Sequence, residues 1–553
     1  MSNDIRHGTV NDARICAPIE GVRIRVLDPG GQLVCEATSD AHGAWALPAA
    51  AGRVTFSADG YVEKSFSSDL PAVVRLLEDC LIGYHNKLWF KPGENVTAHI
   101  HSPVPYSAVL YRHGLDKTVV ADYGDRPEKC QNVPDGYFVE DGLEWYGSLS
   151  YTVPENARPG LYSLLLTAPG QEDFAIPLIV STPAEKRGKD SRLLVLASTN
   201  TWQSYNLWGG RSRYRNFEDG NSADFANVSP AVARLVSTVK RIIPAPAVKF
   251  LRRCLGLRKP GPGPWAFKRL GIRRPFTNCA LEDATPTEPF TNHLGGGEWR
   301  VLAWLEREQI AYDFVSGFEL HQTPEMLQHY DAVLFSTHCE YWTKEMYEGL
   351  RQRFKNAGLW ILNVSGNTMF RQIEFYDDGA SRCVSLDFAR DCADESQLLG
   401  VRFTMSDYGT CAPFCVVDKD HWAFDGIASD TAELVFGESS LNRNTEKKSN
   451  RYDPGRPGMK GGLAGNGASG WETDKLTDTA APDFKVIAKG MNDHGGADMV
   501  IREADGGRGG VFSASSVTFG GALLIDETCS TILRNVIEKA LRTKPPVTLG
   551  NHR

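Results

Sequence analysis

The chain has 553 residues, of which 42% are hydrophobic and 23% are charged, as in a soluble globular protein of about three or four domains. Its formal net charge of −8 argues against a general nucleic-acid or anionic-membrane binder, although residues 240–274 are locally rich in Lys and Arg. The sequence has no run of about 18 apolar residues and no apolar leader segment, so we expect a cytoplasmic protein without a membrane-spanning helix.

Residues 1–78 are predicted to form a small all-β domain. Apolar and polar residues alternate at 22–28 and 33–37 around a Pro-Gly-Gly turn, which is typical of a β-hairpin. A further turn at 39–43 precedes a strand at 44–47. The pattern resembles transthyretin-like and carboxypeptidase-regulatory-like modules, which act mostly as scaffolds.

Residues 79–185 are predicted to form a second β domain, an Ig-like β-sandwich. Its strand patterns fall at 96–100, 107–112, 147–153, 160–167 and 174–180. Trp145 and Tyr146 either help to wall an active site or belong to the core. The polar segment 181–190 is expected to be a linker.

Residues 186–553 alternate between strand and helix patterns, which predicts an α/β doubly wound domain with insertions. The chain as a whole is therefore expected to be multidomain. Thr343 is a candidate cap for a helix that runs to about residue 356, where Gly358 would end it. Long insertions are expected at 220–295 and 368–490, the second of which holds a Gly-rich run at 455–470. The strands are predicted at 192–198, 310–315, 331–336, 359–364 and 509–516, and the helices at 298–308, 343–356 and 531–542.

Four loops rich in polar groups are predicted, three of them directly after strands and the fourth after the Gly-rich run. If the strands are parallel, the first three groups meet at one edge of the sheet, where ligands bind in open α/β folds. The carboxylate of Glu340 would then lie on a turn between a strand and a helix, beside His338. The four groups are residues 199–214, 338–340, 363–367 and 470–474.

Motifs that the sequence lacks exclude several common kinds of active site for these groups. The sequence contains no GxSxG elbow, no HExxH zinc motif and no P-loop. An oxygen-rich set remains, formed by Tyr205, Tyr214 and Glu340, with His338 and Glu472 as neighbours. Phenolate and carboxylate oxygens suit a hard cation, and Fe(III) is the natural match for phenolates.

Three other interpretations stay open. The tyrosines could be structural, since most buried Tyr residues only hydrogen-bond their hydroxyl. Cys339 and His338 could form a Cys–His amidase, although Cys339 would point away if its two neighbours point inward along an extended segment. A non-catalytic binding protein on a degenerate enzyme fold is the third possibility.

Several motifs occur in a fixed order along residues 190–540: TWQSYNLWGGRSRY, RRPF, AWLERE…YDFVSGFELH, STHCEYWT, NVSGN and SGWETDKL. As an ordered set they resemble the large (beta) subunit of N,N-dimethylformamidase and its wider family. The resemblance implies a domain similar to class I glutamine amidotransferases. It also implies a mononuclear iron held by two tyrosines and one glutamate, and hydrolysis of a small amide or formamide.

Carried over by motif, the resemblance assigns Tyr205, Tyr214 and Glu340 as Fe(III) ligands. It places His338 and Glu472 beside the metal as catalytic groups. Asn206, Trp208 and Asn367 are expected to line the substrate pocket. The expected partners are a small amide substrate, a second copy of the chain in a homodimer, and a small subunit as in the founding enzyme.

Overall fold

The structure is a computed structural model that describes residues 5–48, 52–67, 69–136, 138–217, 264–279, 281, 293–387, 394–427, 434–442 and 467–542. Most of the basic stretch at 240–274 and of the Gly-rich run at 455–470 lies outside the described residues. Among the helices of the described chain, none is both long and apolar enough to cross a membrane.

The N-terminal part is all β, as the sequence predicts. Two sheets, in the orders β4-β1-β7 and β3-β2-β5-β6, enclose a core that includes Ile24, Trp45 and Phe56. The alternating strand patterns bury one face of each strand, which is why the hairpins could be recognised in the sequence. The strands are β1 Ile5–Asp12, β2 Arg23–Leu27, β3 Leu33–Thr38, β4 Ala44–Pro48, β5 Arg53–Ser57, β6 Lys64–Phe66 and β7 Val73–Leu76.

The next part of the chain is also all β. A three-stranded sheet (β13-β10-β8) and a five-stranded sheet (β12-β11-β14-β15-β9) share a core that includes Ile100, Leu110 and Leu164. The strands are β8 Ile82–His85, β9 Trp89–Phe90, β10 Asn95–His101, β11 Tyr106–His113, β12 Lys117–Arg126, β13 Leu149–Thr152, β14 Gly160–Thr167 and β15 Phe174–Val180.

The third part contains a nine-stranded sheet in the order β17-β16-β18-β20-β31-β30-β29-β25-β26. Its first five strands run parallel, and the remaining neighbours pair antiparallel. Its strands are β16 Leu193–Ala197, β17 Asp313–Ser316, β18 Ala332–Thr337, β20 Trp360–Ser365, β25 Phe414–Val416, β26 Val435–Phe436, β29 Lys485–Gly490, β30 Asp498–Arg502 and β31 Val511–Ser513.

Three small sheets accompany the large one, in the orders β19-β21-β22, β23-β28 and β24-β27. No described sheet crosses the domain boundaries predicted near residues 78 and 185, and those boundaries stay predictions. The small-sheet strands are β19 Tyr341–Trp342, β21 Arg371–Phe375, β22 Ser381–Ser385, β23 Val401–Thr404, β24 Cys411–Ala412, β27 Ser469–Gly470 and β28 Thr473–Leu476.

Helices cover both faces of the nine-stranded sheet. On one face α2 and α6 pack with Val195 and Leu334 of the sheet. On the other face α3 and α4 pack with Leu196 and Phe335, because successive strand residues point to opposite faces. The helices are α1 Thr199–Tyr205, α2 Gly295–Arg307, α3 Gly317–Gln322, α4 Lys344–Ala357, α5 Ser396–Leu399 and α6 Glu527–Arg542.

The predicted cap of α4 is confirmed, since the Thr343 hydroxyl accepts from the Met346 N–H and Gly358 ends the helix with a φ of 69°. Residues 199–205 were expected to be a loop, but they form helix α1. The buried Glu298 carboxylate accepts hydrogen bonds from the Ser198 N–H and the Trp202 indole, and so stabilises this helix start from a distant part of the chain.

Candidate active site

Four segments meet at the carboxyl edge of the parallel strands. They follow β16, β18 and β20, and the fourth, around Glu472, lies against the chain that leaves β31 through the Thr473–Ser516 bridge. Gly366 lets the turn after β20 pack closely against the backbone of Glu472, because a Cβ there would lie 2.4 Å from the carbonyl oxygen of Glu472. The sequence-based expectation that strand order brings these groups together therefore agrees with the geometry.

The backbone of this edge is strained. Four residues have φ values in the left-handed region, which residues other than glycine rarely adopt: Thr337 (60°), Asn367 (55°), Trp471 (66°) and Ser515 (63°). Such strain persists only where the surrounding structure enforces it, and it clusters at functional sites.

The carboxylate of Glu340 is the centre of the site. The phenol of Tyr214 donates to it at 2.5 Å, that of Tyr205 at 3.2 Å, and Nε of Arg371 at 2.7 Å. Its side chain is 0% exposed. Burial alone would raise the pKa of Glu340, but Arg371 and then His338 oppose this and lower the pKa to about 2. Glu340 is therefore an ionised carboxylate held inside the protein.

Tyr205 and Tyr214 present their phenol oxygens to the same carboxylate. Their ring centroids lie 4.5 Å apart. Burial, followed by the negative charge of Glu340, raises the pKa of both phenols well above the usual value. Both phenols therefore keep their protons when no metal ion is bound and donate hydrogen bonds to Glu340.

The imidazole of His338 lies between the phenol cluster and Glu472. Its Nε2 is 3.0 Å from the Tyr205 hydroxyl, 3.3 Å from Glu340 and 3.9 Å from Glu472. Its Nδ1 lies 3.1 Å from the carbonyl of Gly366, which can only accept, so Nδ1 carries a proton. Burial lowers the pKa of His338, but Glu472 and Glu340 outweigh it and raise the pKa to about 9.

Glu472 is fixed by the turn after β20. The side-chain amide of Asn367 donates to Glu472 at 2.7 Å, and the Asn367 N–H donates to Asp474 at 2.8 Å. Burial raises the pKa of Glu472; His338 lowers it and Glu340 raises it further. The same short turn thus positions both His338, through Gly366, and Glu472.

A family model described as "N,N-dimethylformamidase beta subunit-like, C-terminal" matches residues 108–531. The chain belongs to this family. The match includes every residue of the cluster around Glu340, whereas residues 1–107 lie outside it. A search of curated proteins found no match.

Likenesses to solved structures are weak. An alpha-2-macroglobulin from E. coli is 16% identical over 32% of this chain and 12% of its own length, with a TM-score of 0.13. A DUF3823 family protein from Parabacteroides merdae is 13% identical over 32% of this chain and 98% of its own, with a TM-score of 0.12. The major pilin subunit BcpA of Bacillus cereus is 12% identical over 36% of this chain and 73% of its own, also with a TM-score of 0.12. TM-scores this low carry no argument about fold or function.

Three residues of this dimethylformamidase-like site were missed by the sequence analysis. Arg371 begins β21 and binds Glu340 directly. The His293 ring contacts the rings of Tyr205, His338 and Trp471, with centroids 4.8, 5.2 and 4.6 Å away. Burial, followed by His338, lowers the pKa of His293 to about 3, so this ring is neutral. Trp471 lay inside a recognised motif, but neither Arg371 nor His293 carries a local signal.

Two predicted pocket residues lie apart from Glu340. Asn206 is fully buried, with its amide donating to the carbonyl of Pro275 and its oxygen accepting from the Trp208 N–H. Trp208 packs against Trp145 and Phe138 in a separate apolar cluster, and it lines a cavity of about 500 Å³ away from the phenols. The indole of Trp145 is thus a core side chain, as one of the two interpretations held. Of the three predicted pocket residues, only Asn367 lies in the cluster.

Cys339 lies between His338 and Glu340 in the sequence but faces the other way. Its side chain belongs to the apolar core with Phe335 and Trp342, and burial raises the pKa of its thiol to about 12. The ring nitrogens of His338 are directed at Tyr205 and Gly366. A thiolate nucleophile paired with His338 does not follow from this geometry.

Whether a metal ion fits this site depends on the ligand atoms that the side chains around Glu340 can supply. Within the described ranges no group of three His, Cys, Asp or Glu residues is arranged to hold an ion. The oxygens of Tyr205, Tyr214 and Glu340 nevertheless converge on one point, each phenol within 3.2 Å of the carboxylate. The two phenol protons lie where a cation could replace them. These residues fit a hard, highly charged ion that phenolates favour.

Proposed function

We propose that this protein is an amidohydrolase that cleaves a non-peptide C–N bond of a small amide or formamide, with Fe(III) as its cofactor. The observation that carries the proposal is the convergence of two phenols and an imidazole on the single buried carboxylate of Glu340. Membership of the dimethylformamidase-like family supports the reaction class.

Tyr205, Tyr214 and Glu340 would hold the iron, because phenolate and carboxylate oxygens match a hard trivalent cation. When bound, the ion supplies a Lewis acid that polarises a carbonyl and makes water more acidic. Arg371 keeps the Glu340 carboxylate ionised and fixes its Oε1. The ring of His293 packs against Tyr205 and restricts the space beside it.

Proton transfer falls to Glu472 and His338. An amide nitrogen is a poor leaving group until it is protonated, so hydrolysis needs a group that takes a proton from water and returns it to nitrogen. Glu472 has a raised pKa, which makes it the stronger base of the two carboxylates. The Nδ1 of His338 is committed to Gly366, so Nε2 is the atom that passes protons between Glu472 and the substrate.

The remaining family-level expectations belong to the same proposal. The parallel strands β16, β18 and β20, with helices on both faces, support an amidotransferase-like fold for the third part of the chain. The description "beta subunit-like" supports a small-subunit partner. A homodimer and a cytoplasmic location complete the proposal.

Iron content and visible absorption test the proposal directly. Protein expressed with added iron should contain about one iron per chain and show a tyrosinate-to-iron charge-transfer band. Tyr205→Phe should lose the iron, the band and turnover of small formamides and amides. The matched control is Tyr146→Phe, because Tyr146 is 78% exposed and its ring lies beside Lys129.

Two results would contradict the proposal. Wild-type protein that stays colourless and largely metal-free after iron supplementation would remove the cofactor. Iron and turnover that both survive in Tyr205→Phe would show that the ligand set is wrong.

A further inference from the structure

Tyr205 is followed by a short segment, residues 206–217, which carries Tyr214 and which we call the tyrosine arm. Gly209 and Gly210 turn the arm with φ values of 92° and 88°. The Phe217 N–H then donates to the carbonyl of Gly210 at 2.8 Å, which closes the base of the arm. Tyr214 lies at its tip, four positions beyond Gly210, so a shift at the base would move the phenol.

The N-terminal β region holds this base. The Gly209 N–H donates to the carbonyl of Arg14 at 2.7 Å, and the Cys16 thiol lies 3.5 Å from the carbonyl of Gly209. A Cβ at Gly210 would lie 2.3 Å from the Cys16 sulfur. Arg75 donates to that sulfur at 2.8 Å and so fixes it in place.

The contact is an integral part of the core. Ala13 and Leu77 of the N-terminal region share one buried apolar cluster with Trp208 of the arm and with Phe138 and Trp145 of the second β region. Separating the N-terminal region from the arm would expose this apolar surface, which is unfavourable. Cys16 itself has a φ of 58°, a strained conformation that the surrounding contacts maintain.

We propose that the N-terminal β region positions the second tyrosine: the turn at 14–16 clamps Gly209 and Gly210 and thereby sets the Tyr214 phenol against Tyr205 and Glu340. Cys16 is a positioning residue in this scheme, since it touches neither substrate nor metal. The inference rests on the proposed function. It assigns a role at the site to a region that lies outside the residues matched by the family.

The test compares two glycines whose φ angles are nearly the same, 88° at Gly210 and 84° at Gly31. Gly210→Ala places a methyl group against Cys16, whereas the control Gly31→Ala, at φ 84°, places it in open space. In the full-length protein loaded with iron, Gly210→Ala should shift the charge-transfer band and release iron to a chelator about fivefold faster, because residues without ligand contact change binding about two- to thirtyfold. Gly31→Ala should match the wild type.

The double variant Cys16→Gly/Gly210→Ala separates the clamp from backbone strain. Removing the sulfur relieves the clash but also removes the contact to Gly209, so the band and the release rate should return only as far as those of Cys16→Ala. If Gly210→Ala does not fold, Cys16→Ala alone should still speed iron release, because it removes the contact to Gly209.

The inference is overturned if Gly210→Ala keeps the wild-type band and release rate. It is also overturned if the double variant is no better than Gly210→Ala, or if Cys16→Ala releases iron as slowly as the wild type. A wild type that holds no iron would refute the proposed function and this inference together. A wild type with normal iron and an unaffected Gly210→Ala would refute this inference alone.

Discussion

Replacing Arg371 by Met should strongly destabilise the metal-free protein. Arg371 and Glu340 form an ion pair at 2.7 Å, and their side chains are 13% and 0% exposed. Removing the guanidinium leaves a buried carboxylate without its main cation, which typically costs about 3–5 kcal/mol. His338 lies 3.3 Å from the same carboxylate and compensates in part, so the lower end, about 3 kcal/mol, is expected here.

An exposed ion pair between β21 and β22 provides a matched control. Arg382 of β22 pairs with Glu374 of β21 at the same 2.7 Å, but these side chains are 48% and 53% exposed. Water already solvates this pair, so Arg382→Met should lower stability far less than Arg371→Met does. The contrast isolates burial, because the separation of the two charged groups is the same.

Chemical denaturation of metal-free protein, followed by tryptophan fluorescence, measures both costs. The double variant Arg371→Met/Glu340→Gln should recover at least about 1 kcal/mol relative to Arg371→Met, since the unpaired charge is then gone. Similar small losses for Arg371→Met and Arg382→Met, with no recovery in the double variant, would refute the reasoning.

Three further expectations concern single residues. Burial raises the pKa of Glu298 to about 7 from an ordinary 4.5, so its stabilising contribution is complete below pH 4.5 and is lost as pH rises through 7. Denaturation curves should therefore show the stability of the wild type falling by about 3 kcal/mol relative to Glu298→Gln over that window. The same pH dependence in the wild type and in Glu298→Gln would contradict this. Gly366→Ala should cost about 1–3 kcal/mol and most turnover because its methyl group meets the carbonyl of Glu472, whereas Gly136→Ala, in open space, should behave as wild type in the same assays. Thiol alkylation should leave turnover intact and Cys339 unmodified by mass spectrometry, because that thiol is buried with a pKa of about 12; inactivation that tracks modification of Cys339 would instead support a Cys–His amidase.

The elements that local sequence signals define were predictable, and those that depend on distant partners were not. Helix α4 follows from its Thr343 cap and Gly358, both adjacent to it in the chain. Helix α1 escaped prediction because its polar residues show no helical period, and the carboxylate that stabilises its start is Glu298, 100 residues away.

The residues of the candidate site also fall into those that sequence order could predict and those that depend on distant partners. Strand order was enough to bring Tyr205, His338 and Glu340 to one edge, since carboxyl ends of parallel strands coincide. Arg371 could not be predicted, because it comes from a strand inside an insertion and its pairing with Glu340 is purely tertiary. Trp208 was predicted to line the pocket, but the turn at Gly209 directs the chain toward the N-terminal region instead.

Under the proposed iron chemistry, the two protonated phenols around Glu340 would make iron loading an exchange reaction. Each ion that enters must displace the hydrogens now shared with the carboxylate, so uptake acidifies an unbuffered solution. With two protons released per ion, apparent affinity should drop about a hundredfold for every unit that the solution becomes more acidic. Mild acid would thus empty the enzyme reversibly, and a return to neutral solution would refill it.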